Sequence, residues 1–86
     1  MHFTLLSRTY CHLCDEMEAA VRPLIGASAL RVVDVDAPEH AALEARYGEA
    51  VPVLFAGAPE DRRELCRYRL DAAAVAAALA GDAEIR

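Results

Sequence analysis

Within residues 2–24 the apolar pattern changes its period, and two cysteines stand at the change. His2 to Leu6, "HFTLL", is a short apolar run with strand character. The turn-like Ser7-Arg8-Thr9-Tyr10 follows, then Cys11-His12-Leu13-Cys14. From Leu13 onward apolar side chains recur at helical spacing, at Leu13, Met17, Ala20, Val21 and Leu24. Asp15, Glu16, Glu18 and Arg22 fall on the other faces. Cys11 therefore lies at the mouth of a helix and Cys14 about one turn inside it, with Pro23 and Gly26 marking the helix end.

The rest of the chain extends this start into an alternating pattern. Leu30 to Val35, "LRVVDV", is β-branched and predicts a second strand. Strand, helix and strand over so short a stretch make a βαβ unit, whose crossover is expected to be right-handed. "DAPEH" predicts a helix start with Asp36 as N-cap, Pro38 early and Glu39 three residues after the cap. That helix should run to about Tyr47, with Gly48 as its stop. "VPVLF" opens a third strand with proline at its entry. "AGAPEDR" is a turn region, and "RELCRY" a fourth strand that forms a hairpin with the third. Asp71 should cap the last helix, with Leu70 stapled onto Val75 and Gly81 at the end. The expected order is β-α-β-α-β-β-α, a single α/β domain over residues 1–86.

Length and composition bound the function. A chain of 86 residues makes one domain and buries roughly 60–65% of its unfolded surface, enough for one modest core without metals. Apolar residues are 56% of the total, which argues against disorder. The net charge of −5 argues against nucleic acid, whose binding rests on clustered positive charge. No run approaches the ~20 apolar residues of a membrane span. The opening "MHFTLLSRTYC" lacks the charged region and the apolar length of a signal peptide. The expected location is therefore a reducing cytoplasm. Three cysteines, an odd number, do not make a disulfide framework.

Two chemistries compete for the Cys11/Cys14 pair. Structural zinc wants four ligands, usually as two such pairs. Cys66, His2, His12 and His40 supply no second pair, so no metal site is expected. Thiol–disulfide exchange needs a thiolate to attack and a second thiol near enough to release the mixed disulfide. A helix mouth favours the thiolate through unpaired N–H groups and the positive end of the helix dipole. Position alone then makes Cys11 the nucleophile and Cys14 the resolving thiol. Arg8, three residues earlier, adds positive charge, and a protonated His12 would stabilise a thiolate further. Tyr10 is either a wall of the site or ordinary packing. Cys66, in a strand pattern, is expected to be a small buried hydrophobe.

A Cys-X-X-Cys at a helix start in a βαβ unit, with Val51-Pro52 ahead of a third strand, resembles the thioredoxin fold. "SRTYCHLC" is closer still to the glutaredoxins, in which Ser-Lys-Thr-Tyr-Cys-Pro-Tyr-Cys is common. The resemblance covers nearly the whole chain. It implies a thioredoxin-like, glutaredoxin-type four-stranded mixed sheet flanked by three helices. It also implies a cis Val51–Pro52 bond against the cysteine pair, with the Val51 backbone offered to an extended substrate, and a substrate-side role for Asp71.

Two features of the family are missing. Where glutaredoxins often carry a basic residue before Thr-Val-Pro, this chain has Glu49-Ala50-Val51-Pro52. Where they carry Gly-Gly and an acidic pair, it has "CRYRLD". Both features help hold glutathione in the family, so glutathione is expected as a weak co-substrate at most, with no tightly bound cofactor. The expected function is glutaredoxin-like thiol–disulfide exchange by a monomer. Its substrate would be a protein or small-molecule disulfide, and its electron donor glutathione or a reductase. The alternatives are an iron–sulfur or other metal-binding module on the same scaffold, and a non-catalytic interaction domain.

Overall fold

The computed structural model describes residues 2–26, 28–61 and 63–85; Arg62, at the end of the expected turn "AGAPEDR", lies outside the described residues. The elements are β1 (His2–Ser7), α1 (His12–Ile25), β2 (Ala29–Asp34), α2 (Ala41–Tyr47), β3 (Val53–Ala56), β4 (Glu64–Arg67) and α3 (Ala72–Ile85). Short 3-10 turns at Pro38–His40 and Pro59–Asp61 precede α2 and β4. The strands form one sheet in the order β2-β1-β3-β4. β1 runs parallel to β2 (Leu5 opposite Val32) and antiparallel to β3 (Leu5 opposite Leu54), and β3 and β4 are antiparallel.

The two central strands are buried along their length, Phe3 to Leu6 in β1 and Val53 to Ala56 in β3. Such continuous apolar runs are what a sheet covered on both faces requires. Side chains alternate across the sheet. Phe3, Leu5, Leu54 and Ala56 meet Met17, Val21 and Ile25 of α1 and Val75 and Ala78 of α3 on one face. Leu6, Val33, Val35, Val53 and Phe55 form the other core, with Leu43 and Tyr47 of α2 packed on it. Tyr47 meets Phe55 edge to face, with ring centroids 5.4 Å apart. Thr4, buried in β1, donates its hydroxyl to the Gly57 carbonyl at 2.8 Å.

Several local expectations are corrected. The buried stripe of α1 is Cys14, Met17, Val21 and Ile25, while Leu13 and Leu24 are exposed and Ala20 faces solvent. The face is set by the residues that meet Phe3 and Leu5, and Cys14 and Ile25 complete it better than their leucine neighbours. Pro23 sits inside the last turn of α1, and only Gly26, at φ +58°, ends the helix. Asp36 is not an N-cap: α2 starts after His40 with no side-chain cap. Asp34 competes for the local backbone instead, its Oδ1 accepting the Asp36 N–H at 2.9 Å. The Asp36 carboxylate is drawn to Arg8. Gly48 does end α2, with its N–H on the Glu44 carbonyl at 2.8 Å. Gly81 does not end α3, which continues to Ile85; a glycine weakens a helix without stopping it.

β4 carries a bulge. Leu54 pairs with Cys66 but Phe55 pairs with Glu64, which leaves Leu65 as the extra residue. Leu65 and Cys66, consecutive in sequence, consequently both pack on the α1/α3-side core, which strict alternation would forbid. Among the described residues, no helix is long and apolar enough to cross a membrane.

Candidate functional site

The cysteine pair sits where β1 hands over to α1. Tyr10 turns the chain with φ +62° and is fully exposed. Cys11 then takes an extended conformation as the N-cap of α1. Its sulfur accepts the Cys14 backbone N–H at 3.2 Å, and its carbonyl accepts the Asp15 N–H at 3.1 Å. Cys11 thus does what a capping serine or aspartate does, receiving one of the helix's unpaired donors. The same donor and the helix dipole favour negative charge on that sulfur. The two sulfurs lie within disulfide-bonding distance, with the Cα atoms 5.2 Å apart. Cys11 is partly accessible, whereas Cys14 is 1% exposed.

The other candidate residues lie around this junction to differing degrees. His12 is exposed beside Cys11, with its Nε2 3.3 Å from Glu16, one helical turn on. Arg8 is held elsewhere: its guanidinium meets Asp36 at 3.0 Å and Glu44 at 3.6 Å. Its Nε is buried without a hydrogen-bond partner. Arg8 therefore straps the segment before Cys11 to the α2 side of the sheet, and its charge is shared with two carboxylates. The Val51–Pro52 peptide is cis. Pro52 is buried and accepts the Tyr68 N–H on its carbonyl at 2.9 Å, while Val51 packs against the α2-side core. Asp71 caps α3, its Oδ1 accepting the Ala74 N–H at 3.0 Å, and Leu70 and Val75 share the adjoining core.

Tyr68 was not among the residues expected from sequence. It follows β4 at φ +67°, between Arg67 and Arg69, whose carbonyl and N–H close a three-residue turn at 2.7 Å. Tyrosine carries no sequence signal for that conformation, so only the structure reveals it. Cys66, the free thiol, is half-buried; burial pushes its pKa up from the ordinary 9.0, and a hydrogen bond from the Asp71 backbone opposes this. Arg67 chelates Glu64 through two bonds of 2.6 and 2.7 Å, which lowers the Glu64 pKa and raises that of Arg67. Among the described residues, no group of three or more His, Cys, Asp or Glu is disposed to hold a metal ion.

Residues 2–80 match the family described as Glutaredoxin-like domain (DUF836). The chain belongs to this glutaredoxin-like family. Two solved structures resemble it closely. Protein Ne2328 of Nitrosomonas europaea, solved by solution NMR, is 41% identical, over 88% of this chain and 87% of that one, with a TM-score of 0.71. Protein XcR50 of X. campestris, solved by X-ray crystallography, is 34% identical, over 92% and 96% of the two chains, with a TM-score of 0.68. No curated protein matches the chain. The four-stranded mixed sheet with three helices is the thioredoxin-like architecture expected of a glutaredoxin-like domain. The cysteine pair of this glutaredoxin-like domain, at disulfide distance on a helix N-terminus, fits a thiol-redox role.

Proposed function

We propose that this glutaredoxin-like protein is a thiol–disulfide oxidoreductase using Cys11 and Cys14 as a dithiol. The observation that carries the reading is the partly accessible Cys11 sulfur at the α1 N-cap, one turn from a buried partner within bonding distance. In the reaction, the Cys11 thiolate attacks one sulfur of a substrate disulfide. A Cys11–substrate bond forms, the substrate S–S bond breaks, and the departing thiolate takes a proton from solvent. Cys14 then loses its proton and attacks the Cys11 sulfur. The Cys11–Cys14 bond closes and the second substrate thiol leaves. Two electrons have passed from the protein dithiol to the substrate.

The cycle restarts when an external thiol donor, glutathione or a reductase, returns two electrons. A reducing cytoplasm would supply such donors and keep the pair poised for turnover. The test is turnover of a glutathione mixed disulfide with glutathione supplied, set against reduction of insulin with a thioredoxin-type reductase. Turnover of either that vanishes in Cys11→Ser supports dithiol exchange. Absence of turnover in both, with the cysteines fully reduced at the start, would refute it.

A further inference from the structure

Arg8 is the arginine nearest to Cys11 in sequence, three residues ahead of it, yet its charge is held on the other face of the sheet. Leu6 packs on the α2 side, and strand alternation carries Arg8 to that side as well. The helix that Cys11 caps lies on the opposite face, with Met17, Val21 and Ile25 in the core shared with α3. The Arg8 guanidinium meets two carboxylates instead, Asp36 after β2 at 3.0 Å and Glu44 of α2 at 3.6 Å. Three residues span at most about 10–11 Å, and Tyr10 turns the chain between Arg8 and Cys11. A released Arg8 side chain can close that separation.

The hold is imposed from the carboxylate side. Arg8 Nε is buried with no acceptor, so this conformation leaves unsatisfied a donor that water would satisfy. Glu44 folds back over the end of its helix. A Cβ at Gly48 would collide with the Glu44 Oε2, the same oxygen that faces Arg8. The Asp36 backbone is fixed too, its N–H on the Asp34 carboxylate at 2.9 Å. Both carboxylate side chains are about half exposed, at 49% and 48%. Ion pairs so exposed add little stability. Their main effect is on where the guanidinium sits.

Resting on the exchange reading above, we propose that Asp36 and Glu44 are positioning residues of the exchange site, which act by keeping the Arg8 charge away from Cys11. The Cys11 thiolate then rests on the N-terminus of α1 and not on Arg8. Neutralising the two carboxylates frees the guanidinium. A cation free to turn toward the thiolate raises the thiolate fraction at neutral pH, and with it the reactivity of the sulfur. The other titratable and charged groups on the elements that meet at this end are His12, Asp15 and Glu16 on α1, Glu49 ahead of Val51–Pro52, and Tyr68 and Arg69 after β4. His12 is engaged with Glu16. All six stay unchanged in the variants below.

The test reads the thiol and not turnover. Reduced protein is alkylated with iodoacetamide over a range of pH, and modification of Cys11 is resolved from that of Cys66 by mass spectrometry. Asp36→Asn combined with Glu44→Gln should move the Cys11 profile to lower pH and speed its alkylation at neutral pH by about threefold to tenfold. In an Arg8→Gln background the same two substitutions should change the rate by less than about twofold, because exposed carboxylates act on Cys11 only through solvent and salt. Arg8→Lys, which keeps a charge to release, should retain the acceleration. If the double variant melts early, Asp36→Asn alone decides, with the same sign and a smaller shift. Equal acceleration with and without Arg8, or none when the carboxylates are neutralised, overturns the proposal. Acceleration in a protein that turns over neither disulfide substrate would leave the Arg8 clamp standing and refute the exchange reading instead.

Discussion

Cys11 and Cys14 differ in kind because they occupy different positions on one helix. Cys11 is the cap and Cys14 is the first residue of the buried stripe. Cys11→Ser should abolish exchange, while Cys14→Ser should accumulate a mixed disulfide on Cys11, read by intact-protein mass spectrometry. Loss of all reaction in Cys14→Ser would reverse the roles. Cys66 makes a separate prediction. Burial favours its neutral thiol, so its folded-state pKa lies above the unfolded value. The stability linked to it is complete below about pH 9 and is lost as pH rises through the folded-state value. In the oxidised protein, urea unfolding should therefore show an alkaline decline that Cys66→Ala flattens; an unchanged slope would refute the assignment. The cysteine pair and the Asp71 cap were legible because both are short-range patterns. Asp36 misled because its carboxylate is taken by the Arg8 guanidinium, a contact across 28 residues that no local pattern displays, while its own N–H goes to the Asp34 carboxylate. Tyr68 was invisible because positive φ in tyrosine is imposed by its neighbours.

At the level of elements, the order read from periodicity is the order found, and the differences lie at faces and ends. The α1 stripe is shifted because two leucines, 13 and 24, flank the true seam, and hydrophobicity alone ranks Leu13 above Cys14 although Cys14 is the one buried. The β4 bulge was illegible because pairing register is a property of two strands. The Asp71 cap anchors α3 after that bulged strand. Asp71→Ala should cost about 1 kcal/mol and lower the melting temperature by about 4–8 °C in a domain of this size. An unchanged melting temperature would show that the cap bond to Ala74 is dispensable. Leu54, at the centre of β3 and fully buried against α1 and α3, should cost about 2–5 kcal/mol when replaced by alanine, measured by urea unfolding. A loss well below that range would mean the core collapses around the site.

Across the whole molecule, the sheet order β2-β1-β3-β4 puts the C-terminal end of β1 beside the start of β3 and the end of β4. That arrangement gathers the cysteine turn, the Val51–Pro52 segment and the Tyr68 turn at one end, though they are spread along the sequence. The strand order could be expected only through family resemblance, because it depends on pairings between segments tens of residues apart. The most direct measurement of the central claim is a redox titration in glutathione buffers of graded potential. Each point is quenched by alkylation, and the modified cysteines are mapped by mass spectrometry. The account predicts one reversible two-electron transition in which Cys11 and Cys14 lose reactivity together while Cys66 remains a thiol. A bridge that includes Cys66, or a Cys11/Cys14 pair whose state does not follow the buffer, would contradict it.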